Sequence, residues 1–353
     1  MAFTTINKST EHFNTKLYIG THSTQSITSV GFQPDMNWHK TRTRSGYNHC
    51  LVDSVRGATK LLKPNLNQTE STVADSLTSF DTDGFTLGSD SSNGETNKTG
   101  DNYASWNWKA GTAVSGSTTG SGTAKTYTGS VNATAGFSII KYTGNGTLGH
   151  TIPHHLGVAP SMMIIKITDG DTSDWYVYHK DLGNTGILFL SNTNAVSNSN
   201  AYWNSTTPTS SVFTVGDQTG NNSNNNTFIA YCFAEKQGYS KFGSYKGNGN
   251  TDGSFIYTGF KPAFIMVKRT DSTGDWQLMD NKRDPINVMD TNLFPNSNDA
   301  DTPSSTYNTD FVSNGFKFRG TSGARNGSGM SYIYMAFAEA PLVGTNNVPC
   351  TAR

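Results

Sequence analysis

Charge is scarce in this chain, and what there is cancels. Only 15% of its 353 residues are Asp, Glu, Lys or Arg, with 26 basic side chains against 26 acidic ones. No basic footprint is present to neutralise phosphates, which argues against nucleic acid as a partner. Hydrophobic residues are few too, at 34%, and apolar runs such as Met162 to Ile165 are far too short to cross a bilayer. The opening MAFTTINKSTEHF has no apolar signal core, so a soluble, unprocessed chain with no membrane partner is expected. Cys50, Cys232 and Cys350 are too few and too scattered for a disulfide framework or a zinc motif. The first two read as buried small hydrophobes and the third as a loose tail thiol. In place of these residues stand Asn, Ser, Thr and 36 Gly, which favour turns over helix interiors. The length itself suggests two or three domains.

A repeat organises the chain. An aromatic-plus-glycine opening occurs as LYIG (Leu17 to Gly20), KYTGNG (Lys141 to Gly146) and SYKGNG (Ser244 to Gly249). Proline turns follow as GFQP (Gly31 to Pro34), GVAP (Gly157 to Pro160) and GFKP (Gly259 to Pro262), then short runs ending in Lys40, Lys166 and Lys268. Each copy closes on an alternating aromatic strand: YASWNWKA, FIAYCFAE and YIYMAFAE. Pro34 to Trp108, Pro160 to Phe233 and Pro262 to Phe337 span 74, 73 and 75 positions, too constant for chance.

Within a copy the apolar pattern has period two. Phe228, Ala230, Cys232 and Ala234 point one way, and Ile229, Tyr231 and Phe233 the other, so this strand has both faces partly apolar. Strand candidates separated by Gly, Asn, Asp and Ser clusters predict antiparallel sandwiches rather than parallel βαβ units. The expected fold is all-β, with three tandem antiparallel β-sandwich, jelly-roll-like repeats at 17–110, 137–235 and 241–340. An N-terminal arm (1–16), a Gly/Ser/Thr linker (111–136) and a C-terminal tail (341–353) complete the chain. The linker has the composition of a flexible coil, with some of it free to add an edge strand, so the first repeat is expected to sit apart while the other two pack closely.

Chemistry is harder to find. The Asp-rich turn DTDGFTLGSDSSNG invites calcium, but Ser92 stands where a helical calcium loop needs Glu. Asp169, Asp171 and Asp174 read as hairpin formers. His150, His154 and His155 lack a cysteine or carboxylate spaced to complete a metal site, and read as solvated loop histidines. No G-x-S-x-G elbow occurs. Asp53 and Asp280 recur in copies one and three, where copy two has His179, so they read as shared turn acids or partners of Arg56 and Arg283. No metal, cofactor or catalytic residue is expected. Trp175 and Trp276 occupy matching positions, each after an Asp (Asp174, Asp275). Tryptophans beside carboxylates suit glycan stacking when exposed and core packing when buried; these four residues are the candidate ligand site.

The chain resembles a family of virion-associated proteins of tailed bacteriophages, particularly of marine bacteria. The resemblance rests on MAFTTI, LVDSVRGATKLL, YWNSTTPTSSVF, YCFAEKQGYSKFGSYKGNG and GFKPAFIMVKRT, with Asp53 to Gly57 and Tyr239 to Gly243 the most diagnostic blocks. It covers nearly the whole chain and departs from the family at Trp38-His39-Lys40 and Trp106-Asn107-Trp108. It implies location on a phage particle, with other virion proteins of tail or capsid and copies of itself as partners, and host surface glycan as a further expected contact. The expected function is a non-enzymatic structural protein on the virion surface, tail- or fibre-associated. A capsid decoration protein and a polysaccharide depolymerase are the alternatives.

Overall fold

The computed structural model describes residues 4–91, 94–344 and 349–350, and the fold is all-β with antiparallel pairing throughout. Ser92 and residues 345–348 and 351–353 of the tail lie outside the described residues. Among the described residues no helix is long and apolar enough to cross a membrane.

The same four-strand order occurs three times. Phe13–Ile19, Asn102–Trp108, Met36–Thr41 and Cys50–Asp53 lie side by side in that order. Phe137–Thr143, Thr227–Phe233, Met162–Ile167 and Tyr176–His179 repeat it, as do Ser240–Lys246, Ser331–Pro341, Phe260–Arg269 and Gln277–Asp280. Outside each lies a three-stranded sheet: Gln25–Ile27, Gly84–Leu87 and Leu77–Asp81 in the first, Thr119–Gly120, His150–Pro153 and Val212–Val215 in the second, Phe255–Tyr257, Gly315–Phe318 and Thr309–Val312 in the third. The two sheets of each pair enclose an outer core, around Val52 and Phe85, Ile165 and Phe213, and Ile265 and Phe316 respectively.

The other faces of the three large sheets meet in one central core. Trp38, Trp106 and Trp108 enter it from the first sheet, Ile164, Tyr231 and Phe233 from the second, and Phe264, Met335 and Phe337 from the third. At its middle the closing aromatics touch one another: Trp108 stands 6.3 Å from Phe233 and 5.6 Å from Phe337, and those two rings are 6.0 Å apart. The period-two alternation divides each closing strand between two cores. Ile229, Tyr231 and Phe233 face the centre, while Phe228, Ala230, Cys232 and Ala234 face the second outer core.

This arrangement corrects three expectations. The first sandwich does not sit apart, because a sheet with two apolar faces must be covered on both, and the other two sheets supply the cover. The linker supplies the edge strand allowed for it and little of it is coil: Thr112–Ser117 and Thr126–Asn132 extend the second large sheet and Thr119–Gly120 the second small one. Strand pairing satisfies the backbone groups on one side of Thr112–Ser117 and Thr119–Gly120 and on both sides of Thr126–Asn132, which an apolar pattern alone does not reveal. Nor is the arm separate, since its first strand begins at Phe13, and Ile6 and Phe13 belong to the central core.

Candidate functional site

Chemically distinctive side chains gather where one sandwich meets the next. Strand register places Trp106, Tyr231 and Met335 at equivalent points of the closing strands, each opposite the third strand of its sheet. Trp106 Nε1 donates to Asp280 Oδ2 of the third sandwich at 3.1 Å, and Tyr231 OH donates to Asp53 Oδ2 of the first at 2.6 Å. The third corner has no donor, because Met335 stands there, and it has no acid either. His179 takes that place, and its Nε2 meets the Tyr334 carbonyl at 3.3 Å while its Nδ1 accepts from the Asp181 amide. Donor and acceptor are thus both present or both replaced, as expected where an unpaired buried polar group is costly.

The acids are ion-paired as well. Arg56 Nε lies 2.5 Å from Asp53 Oδ2, and Arg283 Nε 2.6 Å from Asp280 Oδ2. Asp53 Oδ1 also accepts the Val55 and Arg56 amides, and Asp280 Oδ1 those of Lys282 and Arg283. A carboxylate so occupied is neither a free base nor a free nucleophile.

Trp175 and Trp276 belong to the same joints. Both are fully buried. Trp175 Nε1 donates to the carbonyls of Lys63 and Leu66 in the first sandwich, each at 3.1 Å, and Trp276 Nε1 to Phe189 O of the second at 2.9 Å. His49 completes the set, its Nε2 3.1 Å from Phe294 O of the third. The glycan-stacking expectation for these tryptophans is therefore corrected, since neither ring has a face open to a sugar. Asp174 accepts from Ser191 Oγ and Asp275 from Asn296 Nδ2, and the same two loop residues accept the backbone amides of Trp175 and Trp276. These carboxylates hold their own loops behind the indoles.

Lys40, Lys166 and Lys268 are buried beside these joints, and burial pushes each ammonium down to about 8. Lys166 Nζ donates to Asn67 O of the first sandwich and Lys268 Nζ to Thr193 O of the second. Nearby carboxylates oppose the burial effect, Asp174 at Lys166 and Asp275 at Lys268.

The histidine cluster is not the solvated loop its sequence suggested. His150 is buried, with Nδ1 on Asn222 Oδ1 and Nε2 on Thr118 Oγ1; His154 is buried with Nε2 on Thr209 O. Only His155 of the three is exposed. Among the described residues no three His, Cys, Asp or Glu side chains gather in a metal-holding group.

One set of residues escapes sequence reading. Asn97, Asn222 and Asn326 are buried and stand equally far before Trp108, Phe233 and Phe337. Each amide donates to two carbonyls: Ser23 and Gly88, Thr147 and Gly216, Asn250 and Gly320. Each side-chain oxygen accepts the amide of Thr21, Asn145 or Asn248. That constant spacing was the available signal, hidden by the abundance of Asn.

The fold and its joints define an all-β protein of three antiparallel sandwiches locked around a shared core. The chain belongs to the family described as Domain of unknown function (DUF7483), which matches residues 8–341. No curated protein and no solved structure matches it.

Proposed function

We propose that the protein is a non-enzymatic structural component of a tailed-phage virion surface, associated with the tail or its fibres. The observation that carries this reading is the use of the buried reactive groups as joints. Asp53, Asp280, His179, Trp175 and Trp276 each bond across or beside a sandwich boundary. The resemblance of the diagnostic blocks to phage virion proteins supports the setting. A body with no formal net charge whose strands are held in paired sheets suits a particle exposed to proteases.

The three-fold recurrence of one sheet order favours a second reading, a capsid decoration protein seated where three capsomers meet, because a three-fold body matches a three-fold site. Mass-spectrometric stoichiometry of purified particles tests both. A few dozen copies or fewer supports the tail reading, hundreds supports the head reading, and absence from the particle contradicts both.

A further inference from the structure

The three sandwiches are alike in strand order but not in what they show to solvent. On one strand of each small sheet, Gln25–Ile27, His150–Pro153 and Phe255–Tyr257, an isoleucine faces inward: Ile27, Ile152 and Ile256, all buried. The residues flanking it point outward. They are Ser26 and Thr28 in the first sandwich, Thr151 and Pro153 in the second, and Phe255 and Tyr257 in the third. The two aromatic rings remain 47% and 53% exposed. Small residues fill the same places twice in this one chain, so the fold does not require aromatics there.

Tyr257 also lines a cleft of about 310 Å³ with Glu235, Gln237, Ser240, Lys241 and Thr258. Glu235 is held between Lys180 at 2.8 Å and Lys241 at 2.6 Å, so the wall offers both donors and acceptors. In the second sandwich the corresponding side is closed, because Thr126–Asn132 pairs with Phe137–Thr143 and Thr119–Gly120 with His150–Pro153. Among the described residues no further strand pairs with the matching edges of Ser240–Lys246 and Phe255–Tyr257; a single bridge joins Ser240 to Lys236.

We propose that this cleft and the Phe255–Tyr257 face form a binding site for a neutral saccharide of one or two rings, a step that rests on the surface-structural reading above. A pyranose has an apolar C–H face that stacks on an aromatic ring and hydroxyls that both donate and accept. The cleft supplies each in one place, at the lower end of the ~300–1,000 Å³ typical of small-ligand sites. Of the residues lining the cleft only Glu235 and Lys241 are charged, and they are ion-paired with each other, which favours a neutral ligand over an ionic one.

The test is a printed array of neutral oligosaccharides, followed by titration of any hit with the full chain and with the double variant Phe255→Ser/Tyr257→Thr, which installs residues found in the first sandwich. Binding by the wild type, weakened at least ~10-fold in a variant of unchanged melting temperature, is the expected result. Gln237→Ala, at the exposed rim, is a second variant that should also weaken binding, should the first fail to fold. No binding to any saccharide, or equal binding by the variants, overturns the site, as does a double variant that loses only self-association. Particle stoichiometry keeps the two readings apart: a virion component that binds no saccharide removes this site alone, and a saccharide binder absent from particles removes the virion reading alone.

Discussion

At the scale of single residues, each joint is a buried hydrogen bond whose two ends depend on one another. Asp53 anchors both Arg56 and Tyr231, so Asp53→Ala leaves a guanidinium and a hydroxyl buried without their partner. It should lower unfolding free energy by roughly 3–5 kcal/mol, whereas Tyr231→Phe, which leaves the ion pair intact, should lower it by only about 1–3 kcal/mol. Urea denaturation of the two variants checks the order. Acid acts on the same interior. Burial pushes His39 down to about 3 and both His154 and His179 to about 4, and His49 well below the usual 6.5. A histidine kept neutral by the fold binds its proton more readily when unfolded, so its stabilising effect is present above pH 6.5 and is lost as pH falls toward 4. Each of His39 and His179 should remove on the order of 2 kcal/mol by pH 4.5. A urea midpoint that does not move between pH 7 and pH 5 would contradict this. The tryptophan pair was legible because Trp175 and Trp276 keep one residue type at nearly one spacing, 15 and 14 positions after Pro160 and Pro262. Their third partner, His49, was not, because the corner needs only a ring N–H donor and another residue type supplies it. The sequence leaves burial open as well, since a Trp beside an Asp fits both a wet sugar site and a dry joint.

Among the strands, those rich in alternating aromatics and aliphatics were visible as such, and the repeat predicted which of them would be equivalent. In the linker only the prospect of an edge strand was visible, not where it would lie or that its neighbour would be a strand too. Thr112–Ser117 is mostly exposed and lacks apolar alternation, so its composition reads as coil. It becomes a strand because Thr126–Asn132 offers it a complete edge, in register from Thr112 opposite Val131 to Ser117 opposite Thr126. Gly129 is the close-approach point of this addition. A Cβ there would stand 2.7 Å from Ile140 Cδ1, 3.2 Å from Val114 Cγ2 and closer still to the Ile139 carbonyl. Gly129→Val should therefore lower stability by about 1–3 kcal/mol and open the linker to cleavage. Limited proteolysis should leave residues 111–132 intact in the wild type and cut them in the variant; equal cutting would show that the strands are not held.

For the whole molecule, the sequence carried the decisive sign in the closing strand, whose two faces are both apolar. Read one repeat at a time, that strand has a small sheet to cover one face and nothing for the other. The missing cover is the other two sheets, and only three-dimensional packing reveals it. Burying Trp108, Phe233 and Phe337 against one another makes the folding of each sandwich conditional on its neighbours. Independent repeats would melt as separate units, whereas a shared core makes unfolding all-or-none. Differential scanning calorimetry of the full chain therefore tests the central claim most directly. One transition, with equal van't Hoff and calorimetric enthalpies, is the predicted result. Two or three resolvable transitions, or a van't Hoff enthalpy near one third of the calorimetric value, would contradict it.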